Sequence, residues 1–213
     1  QDTKINDINY FVEVKDKTNC LNINSLVTIN SNDGFISYQP NNKNIRYLIN
    51  YLEQENVEPI VINEFLDQAI DWIDKDDSPR PYGLEDYFYT GPASNINQYT
   101  GKRLFFNKNE LLNLPATAFF DINALEHLCV IPLSTNFSLN INSLREDDYP
   151  LIRAIFSNFT DFDAKEFIAQ IPSNAIKSDE DLMKLLRSDD INTFDGFIYK
   201  SIFFQIKTQI QYE

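Results

Sequence analysis

The sequence is short of the residues that most enzymes use: one histidine, one tryptophan, one methionine, two cysteines and five glycines in 213 positions. His127 has no second imidazole to work with, and the chain has no GxSxG or HExxH motif. In NALEHLCVI it reads as a structural position on a helix. Cys20 and Cys129 form no CxxC, which excludes a zinc ribbon or a thioredoxin-type motif. Their spacing alone leaves open whether they pair or remain two buried thiols. No apolar run reaches membrane-spanning length, and the opening QDTKINDIN lacks the charged-then-apolar pattern of a secretory leader. Basic residues are scarce as well, 18 against 32 acidic ones, giving a net charge of −14 and a pI near 4.4. Such a chain repels phosphate backbones and anionic lipid, which argues against a nucleic-acid partner.

What is present is enough for a core, since 43% of residues are apolar and 14% aromatic. From Ile198 apolar residues alternate through Ile202, Phe204, Ile206 and Ile210, the pattern of a half-buried strand or two. YFVEV at 10–14 matches it, so the two ends are expected to share one antiparallel sheet. Between them the period becomes 3.6. One helix is predicted through Ile45, Leu48, Ile49 and Leu52, and a second through Phe65, Leu66, Ala69, Ile70 and Ile73, with Asn63 as its N-cap. Further helices are expected in NELLNL, in INALEHLCV, over 150–156, over 163–171, and over 179–186 behind a Ser178/Asp181 capping box. The fold class is α+β, a helical region inserted into a β framework.

The hexapeptide LNINSL occurs twice, at 21–26 and at 139–144, each copy preceding a helix-rich stretch. Alternating aliphatic and amide side chains suit a short extended lead-in whose Asn and Ser bond nearby backbone or cap the next helix. Coincidence in an Asn- and Ile-rich chain is the alternative.

Chemistry concentrates in LDQAIDWIDKDDSPRPYGLEDYFY, 66–89. Asp71, Asp74, Asp76, Asp77, Glu85 and Asp86 fall within sixteen residues, around Pro79, Pro81 and Gly83, which forbid helix continuation. Two such charges about 4 Å apart repel by about 4 kcal/mol at an effective dielectric of 20, so converging several requires a cation. Calcium suits an all-oxygen set without thiolate or imidazole. With Asp74 as position one, Asp76, Ser78, Tyr82 and Glu85 fall at three, five, nine and twelve of an EF-hand loop. Pro79 at position six, where that loop needs glycine, and Pro81 at eight break the likeness, so a calcium loop of another type is expected. A solvated acidic turn is the competing reading.

At these residues the chain resembles the K-type minor pseudopilins of the bacterial type II secretion system. The likeness rests on Asp71-Trp72-Ile73-Asp74, Asp76, Asp77, Pro79, Arg80, Pro81, Gly83, Glu85, Asp86 and Tyr89. LNINSL at 21, NELLNL at 109, LNINSL at 139 and KSIFFQIKTQI agree with further family elements in order. Ser143-Leu144 and Leu84 depart from the family pattern without removing a carboxylate. The resemblance implies a pilin-like antiparallel sheet, 1–26 with 190–213, and an inserted all-helical domain, 27–189, that binds calcium. It implies Asp74, Asp76, Asp77, Glu85 and Asp86 as the metal loop, with Asp71 either joining them or merely exposed. The same resemblance implies a non-enzymatic subunit at the tip of a periplasmic pseudopilus, bound to I-type and J-type minor pseudopilins, with secreted substrate proteins as an open further partner. In the full-length family member an N-terminal hydrophobic helix anchors the subunit in the inner membrane; this sequence has no counterpart of it. A periplasmic setting favours pairing of Cys20 with Cys129.

Two other classes compete. Paired carboxylates could serve a glycoside hydrolase, although such acids normally face each other across a cleft rather than crowd one loop. Twin helix pairs could resemble helix-hairpin-helix DNA-binding units, but neither copy is followed by the glycine-bearing hairpin that holds a phosphate.

Overall fold

A computed structural model of the chain describes residues 2–5, 8–32, 34–92, 94, 97–185 and 194–212. In chain order the elements are β1 (Asp2–Ile5), β2 (Ile8–Asp16), β3 (Leu21–Asn22), β4 (Val27–Asn32), β5 (Phe35–Pro40), α1 (Asn42–Gln54), α2 (Pro59–Ile73), α3 (Asp86–Tyr89), α4 (Ile122–Glu126), β6 (Leu128–Cys129), β7 (Leu139–Asn140), α5 (Tyr149–Ile155), α6 (Asp161–Ala169), α7 (Asp179–Leu185), β8 (Phe197–Ile198) and β9 (Phe204–Tyr212). Among the described residues no helix is long and apolar enough to cross a membrane.

The two ends meet as the alternation predicts. β2 lies between β1 and β9 in an antiparallel sheet, with Val14 opposite Ile206 and Asp16 opposite Phe204. Side chains of one parity, Val12, Val14, Phe204, Ile206 and Ile210, therefore share one face, and all five are exposed, by 37–67%. The region 27–189 departs from the all-helical expectation. It contains the hairpin β4–β5, in which Val27 and Ile29 alternate along one strand and Ile29 stands opposite Tyr38, and the two-residue strands β6 and β7, each held by a parallel partner. The expected boundary at 189–190 lies outside the described residues.

α1 begins where Asn41 accepts a hydrogen bond from the Asn44 amide, and buries Tyr47, Leu48, Tyr51 and Leu52. α2 starts earlier than the predicted Asn63 cap. Pro59 supplies the first helical residue, its missing N–H being one of those a helix start leaves unpaired anyway, and Asn63 lies inside the helix. Val61, Ile62, Phe65, Leu66, Ala69, Ile70, Trp72 and Ile73 are all buried, so α2 is the axis of the core. NELLNL forms a 3-10 turn (Lys108–Asn113), and the helix expected through INALEHLCV stops at Glu126, with Leu128 and Cys129 extended as β6. α6 opens one turn's worth of capping before Asp163, at Thr160, whose hydroxyl accepts from the Asp163 amide. α7 is described to Leu185, with Ser178 Oγ accepting from Asp181 N (3.3 Å); Leu186 lies outside the described residues.

Both LNINSL copies adopt the same conformation, a two-residue strand running into a 3-10 turn. β3 pairs parallel with β6, and β7 pairs parallel with β8. In each copy the first Asn caps the turn as expected, Asn22 Oδ1 accepting from Asn24 N (3.3 Å) and Asn140 Oδ1 from Asn142 N (3.1 Å), while the second Asn reaches backbone remote in sequence. Asn24 Nδ2 donates to the carbonyls of Phe105 (2.9 Å) and Ile131 (3.1 Å), while its Oδ1 accepts from Phe105 N (2.8 Å). Asn142 repeats this with Ile176 O (2.8 Å), Tyr199 O (3.0 Å) and Ile176 N (2.8 Å). A disulfide joins Cys20 to Cys129 beside the β3–β6 pair.

Candidate metal centre

The end of α2 sets the site. Asp74 caps the helix in extended conformation, its N–H still bonded to Ile70 O, and turns the chain away from the axis. One turn earlier, Asp71 is 0% exposed. Its Oδ2 accepts from Arg80 N (3.1 Å), and Arg80 Nε stands 3.6 Å from Oδ1. Gly83 makes this approach possible, because a Cβ there would lie 1.8 Å from Asp71 Oδ2. Asp67, not singled out from the sequence, ties the loop down by accepting from Tyr82 N (3.1 Å). Its position one turn before Asp71 on the same face was the available signal.

The loop returns through Glu85, which is 1% exposed. One carboxylate oxygen each from Asp74, Asp76 and Glu85 lie within 4.8 Å of one another. Both Glu85 oxygens and Asp74 Oδ1 are buried without a hydrogen-bond partner, as is Asp71 Oδ1 beside them. Burial first, then the charges of Asp71 and Asp74, push Glu85 up to about 8; burial and neighbouring carboxylates push Asp74 up to about 6, and burial pushes Asp71 up to about 6.

The six acids divide three ways. Asp74, Asp76 and Glu85 converge, and Asp71 sits behind them on Arg80. Asp77 and Asp86 turn to Lys102: Asp77 is mostly exposed and paired with its ammonium, and Asp86 Oδ2 lies 3.5 Å from Nζ. Asp86 Oδ1 accepts from Thr100 N and Oγ1, both at 2.7 Å. Spacing could not foresee this partition, since Thr100 and Lys102 arrive from a segment with no acidic or repeat pattern. His127 lies elsewhere, its ring 5.8 Å from that of Tyr51 and its Nε2 3.1 Å from Asp147 O.

A buried carboxylate with neither oxygen bonded is costly unless a charge of opposite sign compensates it. Three carboxylate oxygens at up to 4.8 Å repel pairwise by about 3.5 kcal/mol at an effective dielectric of 20. The donors are all oxygen, and the residues fit a hard divalent cation such as calcium.

Fold and site together define a mixed helix-and-sheet chain with an acidic cradle at the end of its central helix. The family model for type II secretion system (T2SS), protein K, matches residues 19–133, more than half of the chain. The chain belongs to that family. A protein of Escherichia coli (strain K12) described as a type II secretion system protein K is 36% identical over 168 residues, 75% of this chain and 47% of that protein. Type II secretion system protein K of Pectobacterium carotovorum subsp. carotovorum is 28% identical over 212 residues, 93% of this chain and 61% of that protein. The chain thus spans about half to three-fifths of the length of these relatives. In fold it is similar to a chain of the crystal structure of the GspK-GspI-GspJ complex from the enterotoxigenic Escherichia coli type 2 secretion system. The TM-score is 0.75 at 17% identity, over 99% of this chain and 72% of that one.

Proposed function

We propose that this chain is the globular part of a minor pseudopilin, a non-enzymatic subunit in the periplasm that joins I-type and J-type minor pseudopilins at the pseudopilus tip and supports protein secretion. The observation that carries the reading is the fold likeness over 99% of the chain to a member of the GspK-GspI-GspJ complex. The β1–β2–β9 sheet supports a pilin-like part: its face of Val12, Val14, Phe204, Ile206 and Ile210 is apolar and uncovered, as a sheet would be that packs against an N-terminal anchor helix in the inner membrane. Copurification with the I-type and J-type globular domains tests the assembly. A ternary complex is expected, and failure of either domain to bind at micromolar concentration would remove the reading.

Calcium is the second half of the proposal. Asp74, Asp76 and Glu85 hold the ion, with Asp71 close behind. When bound, calcium supplies the positive charge that lets these buried carboxylates remain ionised together, and so fastens the end of α2 to the returning loop. An ion that binds only the folded state stabilises it by RT ln(1 + [L]/Kd), about 2.7 kcal/mol at a hundredfold excess over Kd. Chelation is therefore expected to lower the melting temperature by several degrees. Glu85→Gln, which removes the unpaired buried charge, is expected to erase the calcium response while raising stability in chelator. Identical melting curves in calcium and chelator would refute the ion.

A further inference from the structure

Lys102 holds a left-handed backbone conformation, φ 44°, that few non-glycine residues adopt. Its N–H donates to the Trp72 carbonyl at the end of α2 (2.9 Å), which places its side chain back over the acidic loop. There the ammonium pairs with Asp77, lies 3.5 Å from Asp86 Oδ2, and lies 3.5 Å from the backbone carbonyl of Asp76. Three oxygens from the loop thus surround one cationic nitrogen. Asp76 belongs to both groups, giving its carboxylate to the cradle and its carbonyl to Lys102, so the two positions adjoin. In the cradle the unpartnered buried oxygens of Glu85 call for a cation; beside it, the chain has supplied one of its own.

We propose that Lys102 Nζ occupies a second cation position, so that the six-carboxylate loop accepts one divalent ion and Lys102 sets that number. The inference rests on the reading that calcium fills the cradle of Asp74, Asp76 and Glu85. With a neutral residue at 102, the Asp77 and Asp86 carboxylates and the Asp76 carbonyl form a second all-oxygen set, and calcium tolerates such irregular shells when water completes them. Asp86 is already held from its other side by Thr100, so the set does not depend on the lysine for its shape.

Calorimetric titration of the whole chain with calcium chloride, with ions counted by native mass spectrometry, tests this. Wild type is expected to bind one equivalent. Lys102→Gln is expected to bind a second, weaker equivalent, which the double variant Lys102→Gln/Asp77→Asn loses again. Lys102→Asn serves as the second variant, because asparagine tolerates the left-handed backbone and keeps the loop folded. One equivalent in both folded variants, or two in wild type, overturns the role of Lys102. No binding in wild type overturns the calcium reading itself, a separate failure.

Discussion

Asn24 and Asn142 stand at the same place in the two LNINSL copies, and each donates to two remote carbonyls while accepting from one remote N–H. Their surroundings differ. In the first unit the chain leaves α2 at Asp74 and returns to the clamp only at Leu104 and Phe105, whereas in the second it leaves α6 at Gln170 and reaches Ile176 almost at once. The unit with the long excursion also holds the disulfide and the acidic cradle. Closing a longer loop costs more entropy, and the extra fastenings fall where that cost is greater. The shorter unit closes on amide clamps and on helix packing of α5 against α1 and α6, including Asn50 Nδ2 to Ala154 O at 2.8 Å.

Removing the fastening peculiar to the first unit should give the largest effect. The disulfide spans 109 residues, for which the chain-entropy account gives about 4.7 kcal/mol and measured bridges about 2–4 kcal/mol. Reduction, or Cys20→Ser with Cys129→Ser, is expected to lower the urea midpoint accordingly. Amide exchange should rise at Leu21, which donates to His127 O, and stay slow at Leu139, which donates to Gly196 O. Equal loosening at both would show that the units do not open separately.

A smaller contrast lies between the two amides. Asn24 is fully buried, and Asn24→Ala leaves three backbone groups without partners, an expected loss of about 3 kcal/mol. Asn142 is only half-buried, so water replaces part of what Asn142→Ala removes, and about 1–2 kcal/mol is expected. Urea unfolding of both variants and of the double variant measures the difference. Additivity within about 0.5 kcal/mol would sharpen the picture of two similar but independent clamps. Equal losses would contradict it.

Sequence carried the outer frame well because its signals were local. The alternation at 198–212 and at 10–14 predicted the β2–β9 pair, and the stripe Ile45, Leu48, Ile49 and Leu52 predicted α1. The repeat announced two similar units, but not the partners of Asn24 and Asn142, which lie up to 107 residues away. Strands of two residues, such as β3, β6, β7 and β8, have no periodicity to read and exist because a parallel partner is brought to them. At the cradle, crowding of acids and the breakers Pro79, Pro81 and Gly83 marked the place. Which acids converge depends on Arg80, Thr100 and Lys102, and so on a return path that local pattern does not encode.

A last contrast is one of slope, and it sets the cradle against the junction between the sheet and the second unit. At that junction burial alone would raise Asp16, but hydrogen bonds from Ser201, Thr18 and Ser143 outweigh it and carry the group down to about 2. Asp16 thus contributes stability that is present above its unfolded value near 3.8 and is lost as pH falls toward about 2. The cradle runs the other way. Glu85 at about 8, with Asp71 and Asp74 at about 6, keeps protons that the unfolded chain has already released, so without calcium each step in pH from the unfolded carboxylate range up through about 8 removes stability. In calcium-free buffer the melting temperature is expected to fall steadily between pH 5 and 8, and in saturating calcium to stay level, because the ion takes the place of the protons. Glu85→Gln should flatten the calcium-free slope while leaving the acid limb, governed by Asp16, where it was. A calcium-free melting temperature that rises across that interval would mean that Asp71, Asp74 and Glu85 are not held together as buried, unpaired acids.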